Sequence, residues 1–178
     1  NTPQRPWPQR HAPHRPQPFN CDDLIGALDA AGVGRAVIVP PSWEGERNDL
    51  ALEAAHRHPR RLAVMGRIDP EAPGAREQIA GWLDQPGMLG LRFEFGQPHL
   101  RAPLVEGRVD WLWRVLEAAA IPMMIRVTFP YVHLVDRIAE RHPQLRIVLD
   151  HLALDGLSKD DAAFAGLDRL LVVAARPN

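Results

Sequence analysis

The stretch "RVDWLWRVLEAAAIPMMIRVTF", residues 108–129, decides how the chain is read. Its first part, 108–120, is an amphipathic helical stretch, and 121–129 is a short apolar run of strand character. The same unit recurs with a period of about 25 to 35 residues, each strand followed by a turn rich in Pro, Gly or Asp. Asn20 is positioned to cap "CDDLIGALDAAGV", whose Leu24, Leu28 and Ala31 fall at helical spacing before the stop at Gly32. "RAVIVPP" is then a strand, Asn48 or Asp49 caps "LALEAAHRHP", and "RLAVMGRIDP" is the next strand. "GAREQIAGWLDQPG" predicts a helix, "MLGLRFEF" a strand, "YVHLVDRIAERHP" a helix, "LRIVLDH" a strand and "DDAAFAGLDRLLVVAA" a last helix. Five apolar strands separated by helices imply a parallel sheet built from right-handed crossovers, so the class is α/β.

Two parallel architectures compete. A doubly wound dinucleotide-binding sheet carries a glycine-rich turn after its first strand, and no G-x-G-x-x-G occurs in the sequence. A (β/α)8 TIM barrel is therefore favoured. Such a barrel takes roughly 250 residues, whereas the chain has 178. The sequence starts without methionine in a loop and stops at "RPN", so the expectation is an internal piece of a barrel, about strands 2 to 6. Residues 1–20, dense in proline, are expected to form an extended arm or long loop, and 21–178 the partial barrel domain.

Composition narrows the function. A net charge of -1 and a pI near 6.8 remove the electrostatic reason to expect nucleic acid or an anionic membrane as partner. A small-molecule substrate fits better. No apolar run spans a membrane and no signal peptide opens the sequence, so a cytoplasmic location is the default expectation. Cys21 is the single cysteine; it can form no internal disulfide, and a structural role is expected. Whether the protein is a homo-oligomer is left open.

In a parallel barrel the active site lies at the carboxyl ends of the strands. Alternation along "MLGLRFEF" puts Gly90, Arg92 and Glu94 on one face, and along "IPMMIRVTF" it puts Met124, Arg126 and Thr128 together. In "LRIVLDHLAL" it groups Ile147, Leu149 and His151, leaving Asp150 on the helix side. Two arginines and a histidine would then converge on the barrel mouth. That is a costly pattern in a core unless a charged group such as a carboxylate occupies the centre. Arg92 also has Glu94 or Glu106 within reach as a purely structural partner. The loop "PPSWEGERND" opens onto the same face, which makes Ser42 and Trp43 candidates for substrate contact, and the arm brings His11 and His14 towards it. His56, His58 and His142 end helices, where a cation is mildly favourable, and His99 is expected in a loop.

The succession of residues 15–70, then "GMLGLRFEF", then "LRIVLDHLAL", resembles the amidohydrolase-related branch of the amidohydrolase superfamily, and within it lactonases of the 2-pyrone-4,6-dicarboxylate type. The resemblance implies a (β/α)8 barrel with an H-x-H pair on the first strand, histidines on the fifth and sixth, and an aspartate on the eighth. His151 matches the sixth-strand histidine and would be catalytic. The H-x-H pair and the aspartate match no residue of this chain. Arg126 stands at the fifth-strand histidine, and a guanidinium cannot coordinate a divalent metal such as zinc, so metal dependence is left open. Arg92 matches an arginine that the family uses for a substrate carboxylate. The expected function is a hydrolase that opens a C–O bond of a carboxylated lactone, with Arg92 and Arg126 holding substrate. The alternatives are a metal-dependent decarboxylase of the same family and an inactive barrel that serves as a binding module.

Overall fold

A computed structural model describes residues 1–7 and 15–178. His11 and His14 lie outside the described residues. Five strands, β1 (Ala36–Ile38), β2 (Leu62–Gly66), β3 (Met88–Glu94), β4 (Met123–Arg126) and β5 (Ile147–Leu149), pair in sequence order, every pair parallel. The sheet curls into a half-barrel, in accord with the sequence reading. No helix among the described residues is long and apolar enough to cross a membrane.

Helices α1 (Cys21–Ala30), α2 (Asp49–Arg57), α3 (Ala75–Ala80), α4 (Pro98–Val105), α5 (Asp110–Ala118), α6 (Val132–Arg141), α7 (Asp160–Ala163) and α8 (Leu167–Ala174) link or follow the strands. Asn20 caps α1 in a reciprocal box with Asp23, and the chain leaves that helix through Gly32 at φ 67°, where Val33 donates back to the Leu28 carbonyl at 2.8 Å. The six helices of the sequence reading become eight among the described residues. The stretch read as a loop around His99 is α4, whose internal Pro103 hid its helical character. The last helix breaks at Gly166, where the Phe129 ring lies so close that a Cβ would sit 2.4 Å from it.

One face of the sheet is packed under helices. Leu91, Phe93, Met123 and Ile125 meet Leu112, Trp113, Leu116 and Val135 in a single dry core. Each such side chain contributes about 1.5–3 kcal/mol when fully buried. On the opposite, concave face Val37 and Val148 remain half exposed. Between β2 and β3 the register steps from Val64↔Met88 to Met65↔Gly90, so Leu89 is an extra, bulged residue. Trp82 holds the bulge by donating from its indole to the Gly90 carbonyl at 3.0 Å. This step sets which residues of β3 turn inward, and so positions the site.

Candidate active site

At the carboxyl ends of the strands a cavity of about 540 Å3 opens, lined by Pro41 and Ser42 after β1, Arg92, Glu94 and Gln97 from β3 and its loop, Arg126 from β4, and Asp150 and His151 after β5. The register explains the convergence. Arg92 is opposite Met124 and Glu94 opposite Arg126, so all four share the concave face.

Charge is the main feature of this mouth. Arg92, 7% exposed, donates from Nε and Nη2 to one oxygen of Asp150 at 3.1 and 2.9 Å, and lies 3.0 Å from Glu94 Oε2. The other oxygen of Glu94 accepts from Arg126 Nη1 at 3.0 Å and from the Gly96 amide at 3.0 Å. Glu94 therefore bridges two guanidiniums and is itself 8% exposed. Removal of Arg92 would leave Asp150, and removal of Glu94 would leave Arg126, a poorly solvated charge without its partner.

The structure corrects the facing of the last strand. Ile125 is opposite Leu149 and Met124 opposite Val148, so Ile147 and Leu149 join the helix-covered face while Val148 turns to the concave side. Asp150, two residues on from Val148, is the inward residue, which is why it reaches Arg92. His151 does not point inward by strand alternation. The backbone turns left-handed at His151, Leu152 and Ala153, with φ 52°, 52° and 59°. For side chains with a Cβ this costs about 1–2 kcal/mol per residue, and such strain collects at functional sites. The turn is anchored by Ala153, which is fully buried, and leaves His151 on the rim, 60% exposed, with Nε2 3.6 Å from Asp150 Oδ1. His151 thus reaches the mouth through the turn.

Of the sequence candidates, Arg92, Arg126, Ser42 and His151 are brought together. Trp43 is not. Its ring stacks at a tilt on Trp7, 5.6 Å between centroids, and lines a separate cavity of about 350 Å3 with Asn1, Thr2, Phe19 and Asn20. One residue was misjudged, Asp150, read as outward; Glu94 was rightly placed on the face of Arg92 and weighed as its ion-pair partner, but its bridge to Arg126 was not foreseen. Another was missed. Arg67 directly follows β2, as Arg126 ends β4 and Arg92 lies two residues from the end of β3. Arg67 is 6% exposed, and burial, only partly offset by Glu46 at 3.7 Å, pulls its guanidinium below its ordinary pKa. Burial also pushes the Glu46 carboxyl up. Asn48 fixes the Arg67 backbone, accepting from its amide at 2.8 Å and donating to its carbonyl at 2.9 Å, and so caps α2 by position only.

The described residues of the mouth do not fit a metal ion by themselves. Both carboxylates are already bound to arginine, Arg126 is no ligand, and one imidazole remains. Among the described residues, Cys21, Asp22 and His58 do bring three ligand atoms within 4.8 Å, but away from the mouth and with Asp22 already held by Arg57.

Comparison with known proteins gives a consistent result. A family model described as amidohydrolase matches residues 3–178. The L-fucono-1,5-lactonase of Burkholderia ambifaria is 28% identical over 184 aligned positions, covering 97% of this chain. The chain spans 59% of that lactonase's length. An amidohydrolase from Burkholderia multivorans, solved with bound zinc, superposes with a TM-score of 0.72 at 25% identity over 90% of this chain and 57% of its own. A probable 2-pyrone-4,6-dicarboxylic acid hydrolase from Acinetobacter baumannii, with citric acid bound, shares the fold with a TM-score of 0.72 at 18% identity, over 97% and 62% of the two chains.

Proposed function

The chain belongs to the amidohydrolase family, and from that premise we propose that the protein hydrolyses a lactone at the barrel mouth. The observation that carries the reading is the convergence of Arg92, Glu94, Arg126, Asp150 and His151 around one cavity at the strand ends. The similarity to a fuconolactonase supports it.

Water adds to the ring carbonyl, the ring C–O bond breaks, and a hydroxy acid results. Each turnover moves one proton from water and delivers one to the departing alkoxide. His151, on the rim beside Asp150, is the residue of the described mouth suited to that transfer, since an imidazole exchanges protons near neutral pH. Arg126 and Arg92, held in place by their carboxylates, offer their remaining N–H groups as fixed hydrogen-bond donors to the oxyanion formed at the carbonyl. No step is routed through a metal.

The test is acid release from a panel of lactones by the intact protein, repeated with His151→Asn. The variant is expected to fold normally and to lose about 10² to 10⁴ in kcat, the usual range for a positioned acid or base. Failure to open any lactone, or release of CO2 from an aromatic acid instead, would refute the proposal.

A further inference from the structure

Resting on the lactonase reading, the charge ledger of the mouth says which lactones fit. Three guanidiniums lie at or near the carboxyl ends of three consecutive strands, Arg67, Arg92 and Arg126. Each has a carboxylate of this same chain beside it. Arg92 has Asp150 and Glu94, Arg126 has Glu94, and Arg67 has Glu46. Three positive charges therefore meet three negative ones. Among the described residues of the mouth, an arriving substrate carboxylate finds no guanidinium without a carboxylate beside it. It would enter either as an excess charge in a poorly solvated site or by displacing Glu94 or Asp150, which would then be left without a counter-ion.

Hydrogen-bonding capacity, by contrast, is in surplus. Arg67 Nη1 is buried without an acceptor, in a cleft that shares Arg92 and Glu94 with the mouth. Ser42 and Gln97 add a neutral hydroxyl and a neutral amide to the mouth cavity. Carboxylates that already bridge guanidiniums still accept from hydroxyl groups through their remaining lone pairs. Donors and acceptors without net charge match a ring that carries hydroxyls.

We propose that the mouth takes an uncharged, polyhydroxylated lactone and excludes carboxylated ones, and that Glu94 is the specificity-determining residue, acting as an internal counter-ion where a substrate carboxylate would otherwise bind. Glu94 suits this role because it satisfies two arginines at once and is fixed by the Gly96 amide.

The experiment compares kcat/KM of the intact protein for galactono-γ-lactone and for a pyrone dicarboxylate. The wild type is expected to favour the neutral lactone by about 100-fold, two decades being the scale of one mismatched charge. Glu94→Gln keeps the shape, frees one positive charge, and is expected to narrow the ratio at least about tenfold, chiefly through a lower KM for the dicarboxylate. If that variant does not fold, the wild-type preference alone decides the substrate class. A wild type that prefers the dicarboxylate overturns the inference and leaves the lactonase reading standing. A folded Glu94→Gln with an unchanged ratio overturns the role of Glu94. Hydrolysis of neither compound overturns the lactonase reading, and this inference falls with it.

Discussion

Asp150→Ala tests the architecture of the mouth most directly, because it removes the residue whose facing the strand register decides. Asp150 accepts two hydrogen bonds from Arg92, at 3.1 and 2.9 Å, and Arg92 is 7% exposed. Removing one partner of a buried ion pair costs about 3–5 kcal/mol when nothing else compensates. Here Glu94 stays 3.0 Å from Arg92, and Asp150 itself is 19% exposed, so part of the counter-charge and some water remain. The expected loss is therefore about 2 kcal/mol, below the full range for an abandoned charge. Asp150→Asn, which keeps an acceptor, should cost about half as much. The assay is urea unfolding of the intact protein in a cycle with Arg92→Met. Once Arg92 is apolar the loss of Asp150 should matter little, giving a coupling of about 1–2 kcal/mol. A coupling below about 0.3 kcal/mol, or a larger stability loss from His151→Asn than from Asp150→Ala, would refute the inward assignment of Asp150.

Glycine replacements test the packing that sets the register. Gly90→Ala would put a Cβ 2.4 Å from the Pro122 carbonyl, forcing β3 from β4 and costing about 3 kcal/mol or more in thermal unfolding, whereas Gly26→Ala, with nothing within 4 Å in the interior of α1, should stabilise by about 0.5–1 kcal/mol. Asp136 gives a pH signature. Its hydrogen bonds from Arg176, at 2.8 and 3.2 Å, hold the carboxyl below its ordinary value, so the folded-state pKa lies under the unfolded one. The stabilisation is present above the ordinary value of about 3.9 and is lost as pH falls through the folded-state pKa. Asp136→Asn should therefore lower Tm at pH 7, with the gap to wild type closing as pH falls below the ordinary carboxyl value and through the folded-state pKa.

Much of the fold was legible because the signal behind it is periodic. A strand buried on one face under helices must be apolar, and an amphipathic helix must repeat every three to four residues, so "RVDWLWRVLEAAAIPMMIRVTF" announces α5 and β4 whatever surrounds it. Elements that rest on a local exception were not legible. Pro103 inside α4 removes a helical donor, and the cost is met by tertiary packing that the local sequence does not display. Gly166 reads as a tolerated helix residue until the Phe129 ring is seen against it. Asn48 carries every mark of a helix cap, yet its amide is spent on the Arg67 backbone nineteen positions away in sequence.

The site was legible to the extent that strand parity could be counted, and it failed where the count had no anchor. On β3 and β4 a run of core residues, Leu91 and Phe93 or Met123 and Ile125, fixes which parity faces the helices, and Arg92, Glu94 and Arg126 follow correctly. On β5 all of Ile147, Val148 and Leu149 are apolar, so the sequence offers no contrast between faces. Choosing the parity that turned His151 inward moved every side chain of the strand to the wrong side, the known consequence of a slip by one residue. Register with β4 restores it, and the correction changes the chemistry as well as the geometry. An inward Asp150 supplies Arg92 with a carboxylate that a substrate had been expected to bring, as Glu94 does for Arg126, while the left-handed turn still carries His151 to the rim. The strand therefore ends on Asp-His with the two residues placed differently: Asp150 neutralises Arg92 below, and His151 stays exposed on the rim.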